Sequence, residues 1–142
     1  MAVDMKIRVE GVNLLLHRLD NLSLGLRNRI HKRAVTKGAT VIRKEVRKQT
    51  PVGPTGNLKK SVASVIRKYG QDRFVAVIGH SWPEGAHAHL IEYGTQLRST
   101  KSGKSTGRVP PNPFMRRSLN ATAEAALEVV RQELAKGLLH GR

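Results

Sequence analysis

The stretch SLGLRNRIHKRAVTKGATVIRKEVRKQ, Ser23 to Gln49, decides the fold. Within it Leu26, Ile30, Ala34, Gly38, Val41 or Ile42, and Val46 recur every three or four residues. That period places them on one stripe of a long α-helix, with the basic residues on the remaining faces. Ser23 is a favoured N-cap residue and predicts where the helix begins. Pro51 and Pro54 predict where it ends, because each pushes the residue before it out of the helical region. Gly53 and Gly56 allow positive φ, so Pro51 to Gly56 reads as a tight turn. Asn57 is then expected to cap one short turn through Lys60.

On the N-terminal side, Met5 to Glu10 alternates Met5, Ile7 and Val9 with charged residues, the period of a half-buried strand. After Gly11, Asn13 or its neighbours can start a short helix carrying Leu14, Leu15, Leu16 and Leu19. On the C-terminal side, Val62–Tyr69 and Arg73–Gly79 read as two strands joined through Gly70, Gln71 and Asp72. The second strand, with Phe74 to Ile78 all apolar, reads as the central one. Ala86 to Tyr93 has helical spacing and Gly94 ends it. Arg98 to Arg108 contains no apolar side chain, so residues 95–111 are expected to be a flexible basic loop. Asn112–Pro113 predicts a helix start with Pro113 in the first helical position. The helix should run toward Lys136, with Phe114, Leu119, Ala123, Leu127, Val130 and Leu134 on the core and Gly137 as C-cap. The expected class is α+β: a long N-terminal amphipathic helix and a C-terminal helix packed on a small antiparallel sheet, in a single domain spanning residues 1–142.

The whole chain has 142 residues, 26 Lys plus Arg against 10 Asp plus Glu, and a formal net charge of +16. Its length suits one domain and excludes an enzyme with separate nucleotide and substrate domains. Aromatic residues make up only 4% of it, so Leu, Val, Ile and Ala must build a modest core, which favours support from a partner or from self-association. No cysteine is present, which removes disulfides, thiol nucleophiles and Cys-based metal sites. The start lacks a signal-peptide core, and no apolar run approaches the ~20 residues that span a bilayer, so a protein without membrane contact that stays where it is made is expected. The charge is concentrated. Arg27 to Lys48 holds nine basic residues against Glu45 alone, and Arg98 to Arg117 holds six and no acid. Such acid-poor segments point to a polyanion or an acidic partner.

Catalytic and cofactor chemistry finds little footing. Gly103–Lys104–Ser105 resembles the end of a phosphate-binding loop, but Arg98 stands where its first glycine belongs, and Val109–Pro110–Pro111 follows in place of a helix. His80, His87 and His89, with Glu84 and Glu92, have metal-ligand chemistry but match no common metal spacing, and read as surface or partner-contacting residues. Ser61, Ser64 and Ser81 lack a nucleophile elbow, and the acids are dispersed. The expectation is no enzyme, no metal and no cofactor. Nucleic-acid binding has the charge but no interleaved aromatics, zinc finger or helix-turn-helix. It would therefore be nonspecific and salt-sensitive, in the manner of a ribosomal or nucleoid protein.

Three segments in order carry a resemblance: TPVGPTGNLKKS (Thr50 to Ser61), AHLIEYGT (Ala88 to Thr95) and PNPFMRRSL (Pro111 to Leu119). Together they resemble the neck and tail-completion protein family of long-tailed bacteriophages, often described as minor tail or head–tail joining proteins. Gly53–Pro54 lengthens the family's turn by one residue, and Arg117 replaces a frequent proline. The resemblance implies a structural virion protein forming a ring of six copies at the neck or tail, around the axis through which the genome passes, after assembly in the host cytoplasm. The implied partners are further copies of the chain, other neck and tail proteins and, without sequence preference, the passing DNA.

Within that frame, Arg43, Lys44, Arg47, Lys48, Glu92, Tyr93, Thr95, Arg98, Lys101, Lys104, Arg108, Arg116 and Arg117 are the expected subunit or partner contacts. Pro51, Thr55, Gly56, Asn57, Gly94, Pro113 and Phe114 are the expected architectural residues. Glu92 can pair with a basic residue of the long helix or of a neighbouring subunit, an internal ion pair being equally open.

Overall fold

The computed structural model describes residues 12–140. The predicted strand over Met5–Glu10 lies outside them. The elements are α1 (Val12–Leu19), α2 (Leu24–Gln49), α3 (Asn57–Lys60), β1 (Val62–Tyr69), β2 (Arg73–His80), α4 (Ala88–Tyr93), β3 (Arg98–Ser99), β4 (Ser105–Gly107) and α5 (Phe114–His140). The α+β class is as expected: two long helices carry a small antiparallel sheet.

α2 spans 26 residues, roughly 40 Å of helix. It starts after Ser23, although the Ser23 hydroxyl makes no capping bond and only the Ser23 carbonyl takes part, accepting from the Arg27 N–H at 2.9 Å. It ends at Thr50, whose extended backbone (φ −62°, ψ 127°) is what a residue before proline must adopt. In the following turn the positive φ falls on Gly56 (66°) and not on Gly53. Gly56 also takes the N-cap position of α3, leaving Asn57 as its first helical residue.

α5 runs antiparallel to α2. Its start meets the end of α2 through Arg117 and Gln49, and its last turns meet Ile30 and Ala34 near the start of α2. One core cluster sits at each end of this pair. Leu19, Ile30, Ala34 and Leu134 close the α1 end. Val46, Val62 and Phe114 close the other, with Ile42, Ile78, Ile91 and Met115 packed around them. Between the clusters α2, β2 and α5 leave an open apolar groove of about 430 Å³. Leu119, Ala123, Leu127 and Val130 line it and are therefore only half-buried, whereas the sequence pattern places them on a closed core.

Gly137 is not a C-cap. α5 continues through it to His140, and a Cβ there would press into the Ile30 side chain. Gly38 is the matching contact on α2, where a Cβ would lie 2.6 Å from Val130 Cγ2 and 3.2 Å from the Ala126 carbonyl oxygen. Both glycines are there because two backbones approach closely, which a side chain would prevent. Pro113, too, stands one place earlier than expected. α5 begins at Phe114, and the Pro113 carbonyl accepts its first helical bond from the Arg117 N–H at 3.0 Å.

β1 and β2 pair over their full length, from Val62↔His80 to Tyr69↔Arg73, and form a two-stranded sheet. β2 is therefore not a central strand; among the described residues its only partner is β1. The inner face of the hairpin, with Val62, Ile66, Phe74 and Ile78, lies chiefly on α2 and meets α5 at Phe114. Residues 95–111, expected to be a loop, hold the short hairpin β3–β4, in which Arg98 pairs with Gly107 and Ser99 with Ser105.

Gly25, in the first turn of α2, has no atom within 4 Å of where its Cβ would be. Gly25→Ala should raise stability by about 0.4–1 kcal/mol. Gly38→Val should lower it by about 1–3 kcal/mol through overpacking. Urea unfolding midpoints of the two variants check the opposite signs.

Candidate functional site

The three motif segments meet where α2 ends and α5 begins. In the first, Thr50 is buried and its hydroxyl donates to the Val46 carbonyl at 2.6 Å. The buried Ser61 donates likewise to Leu58, and its own carbonyl accepts from the Ser81 N–H at 2.8 Å. Gly85 lies against this pair: a Cβ would fall 2.8 Å from both Ser61 Oγ and the Ser81 carbonyl oxygen. The turn after β2 is thereby seated on the first motif.

Glu92 carries the junction. α4 turns it inward, leaving it 5% exposed, and its two carboxylate oxygens accept from the Met115 and Arg116 backbone N–H groups at 2.9 and 3.1 Å. Those are orphan donors of the first turn of α5, where a negative charge also meets the positive end of the helix dipole. α5 has no acid of its own in that turn, and Arg116 and Arg117 add two positive charges to it. Glu92 is thus a cap supplied from another helix. Among the described residues it forms no ion pair; its carboxylate is turned into the fold, onto the start of α5.

Gly94 and Thr95 complete the tie. Gly94 has φ 74°, and a Cβ would stand 2.8 Å from both the Val109 carbonyl oxygen and the Pro111 nitrogen. Thr95 pairs with Val109 in both directions, its N–H donating at 2.9 Å and its hydroxyl accepting at 3.0 Å. The Asn112 N–H donates to the Ile91 carbonyl at 2.9 Å. Phe114, fully buried, packs against the His80 imidazole in an edge-to-face arrangement, with centroids 5.5 Å apart. Both His80 ring nitrogens are shielded and without a hydrogen-bond partner among the described residues. Burial, then the neighbouring His87, holds the His80 pKa below its ordinary value, with Glu92 opposing.

The expected contact residues divide. Arg47 donates to the Val62 carbonyl at 3.0 Å and Arg43 to Ser64 Oγ at 3.4 Å, so both tether β1 to α2. Arg117 bridges Gln49 and Asn112. Lys44, Lys48, Tyr93, Arg98, Lys101, Lys104, Arg108 and Arg116 are exposed. Pro51 is half-buried, and Thr55 accepts from the Asn57 N–H at 3.4 Å. His87 and His89 are exposed, and among the described residues no three His, Asp or Glu side chains gather as a metal-binding group.

An apolar surface also emerges that the sequence reading does not single out. The outer face of the β1–β2 hairpin carries Val65, Tyr69 and Val75, exposed by 54%, 50% and 39%, beside Val77. Trp82, on the turn after β2, is 81% exposed. The signal was in Phe74–Ile78: a run apolar at both phases of a strand needs cover on both faces. Here the helices cover one.

The family model described as "Bacteriophage HK97-gp10, putative tail-component" matches residues 15–94, more than half of the chain, and the chain belongs to that family. No curated protein and no solved structure matches the chain. The matched span runs from within α1 to the glycine that ends α4; it contains the first motif segment and all of the second but Thr95. No helix among the described residues is long and apolar enough to cross a membrane.

Glu92→Ala should cost about 2–5 kcal/mol by leaving two buried donors unpaired, and Glu92→Gln less, since one acceptor oxygen remains. Denaturant unfolding of the two variants checks the order. His80 gives a pH signature. Its folded pKa lies below the unfolded value of 6.5, so protons bind preferentially to the unfolded chain. The wild-type protein should hold its stability above that value and lose it as pH falls from there toward the folded pKa. His80→Leu should flatten that part of the stability–pH curve.

Proposed function

We propose, from a chain that belongs to a phage tail-component family, that the protein is a non-catalytic assembly piece: a ring of six copies that completes the tail or joins it to the head. The observation that carries this reading is the outer face of the β1–β2 hairpin. Val65, Tyr69, Val75 and Val77 form an apolar strip on a sheet of two strands whose outer edges have no partner among the described residues. Unpaired edges and exposed apolar faces are where chains associate. A second copy is the occupant that a repeating ring would supply. A heterologous contact of this kind, repeated around an axis, closes into a ring.

The junction described above suits that work. It offers no nucleophile with an adjacent base, but it locks α5, α4 and the β3–β4 arm into one rigid piece. A rigid subunit with a small core gains stability from its neighbours, as the thin supply of aromatic residues implies. The ring would form in the host cytoplasm and remain in the neck or tail of the virion.

Light scattering on the purified chain, alone and mixed with the neighbouring tail proteins, tests the reading. The expected result is a hexamer mass in at least one of the two conditions. Val65→Glu, at an exposed position, should leave the circular dichroism spectrum unchanged and abolish the hexamer. A chain that stays monomeric in both conditions yet is incorporated into particles would overturn the reading.

A further inference from the structure

We infer that the β3–β4 hairpin is a preordered arm that binds the phosphate backbone of duplex DNA without reading its sequence. This goes beyond the ring reading and does not need it, since a single chain carries the whole arm.

The first observation is order. The hairpin is tied at its base by the two-way pairing of Thr95 with Val109. Its tip is closed by bonds from the Thr100 N–H to the Lys104 carbonyl at 2.8 Å and from the Lys104 N–H to Thr100 Oγ1 at 3.2 Å. Gly103 takes the positive φ, 80°, that the reversal requires, and Gly107, at 82°, sits in β4 beside the register shift at Arg98. An arm already folded loses little conformational freedom on binding.

The second is chemistry. Arg98, Lys101, Lys104 and Arg108 are all exposed, and among the described residues none of their side chains makes an ion pair. Five hydroxyl residues stand between them: Ser99, Thr100, Ser102, Ser105 and Thr106. Cations with hydroxyl and backbone donors are the groups that meet phosphate oxygens. From Arg98 to Arg108 there is no apolar side chain to form the anchored centre of a protein interface, and no aromatic ring on which an unpaired base would stack. Those two absences favour duplex phosphate over an acidic protein and over a single strand.

The third is the charge balance between copies: with 26 Lys plus Arg against 10 Asp plus Glu in each, further copies bring far more positive charge to the arm than negative. Asp20 and Asp72 hold Arg27, Glu133 holds Arg33 and Lys136, and Glu128 holds Arg131. Glu92 is buried on α5, and Glu45 accepts from the Gln49 amide. Few acids per copy are left against a net charge of +16. Exposed Glu84 and Glu124 are in no ion pair among the described residues, but copies brought together still add to the positive potential, so most of the counter-charge has to come from a different molecule.

Binding of a labelled random-sequence duplex by the full chain, followed by anisotropy at rising salt, tests the proposal. Replacing Arg98, Lys101, Lys104 and Arg108 together with Gln should remove up to four phosphate contacts. The log–log salt slope should then become shallower by about 3.6, and the affinity at low salt should fall about a hundredfold or more. The exposed residues Arg18, Arg29, Lys32 and Lys37, replaced together with Gln, make the same change in net charge elsewhere and should have a much smaller effect. Circular dichroism verifies that both variants are folded. Equal losses in the two variants, no duplex binding by the wild-type chain, or tighter binding to poly-glutamate or to a single strand than to the duplex would each overturn the proposal.

Discussion

Two backbone N–H groups at the start of α5, those of Met115 and Arg116, end on a single carboxylate, that of Glu92. Much else in the structure depends on that arrangement. α5 begins with two arginines and no acid, which sets like charges against the positive end of its own dipole. A buried carboxylate from α4 reverses the balance and fixes where the helix starts. With that start fixed, Phe114 drops into the core beside Val46 and Val62, and α5 lies along α2 closely enough that Gly38 and Gly137 must lack side chains. The same six-residue helix continues into Gly94 and Thr95, which clamp the chain returning from the β3–β4 arm. One short segment therefore orients a long helix on one side and a basic arm on the other.

Elements with a strong local signal were legible in the sequence. The stripe of α2, the prolines that stop it and the glycine-containing turn between β1 and β2 are local features, and α2 and the hairpin stand within a residue of where those features place them. What was not legible depends on a distant partner. A glycine near the end of a helical pattern serves equally as a C-cap or as a point of close approach, and only Ile30, more than a hundred residues away, decides for Gly137. The charge of Glu92 suggests a charged partner, but its partners are backbone N–H groups, which leave no mark in a sequence. The run Phe74–Ile78 reads the same for a central strand and for an edge strand with one bare face. The residue types show that both faces are apolar. They do not show what covers the second.

A phage tail component works through surfaces that meet other chains, and this chain keeps its apolar outer sheet, its exposed Trp82 and its basic arm on separate elements. An apolar sheet face suits a protein neighbour, and an arm of cations and hydroxyls suits a phosphate backbone. The net charge of +16 thus has two parts. Some of it is structural: Arg27, Arg33, Arg43, Arg47 and Arg117 hold the elements together. Much of the remainder among the described residues, the four cations of the arm included, is exposed and outside any ion pair.

The most direct test of a ring-forming tail component is a reconstruction, without imposed symmetry, of the neck and tail of the particle that contains this protein. Six copies in one ring are expected, the outer face of each β1–β2 hairpin covered by the next copy. A single copy, or a ring in which Val65 and Val75 face solvent, would contradict that arrangement.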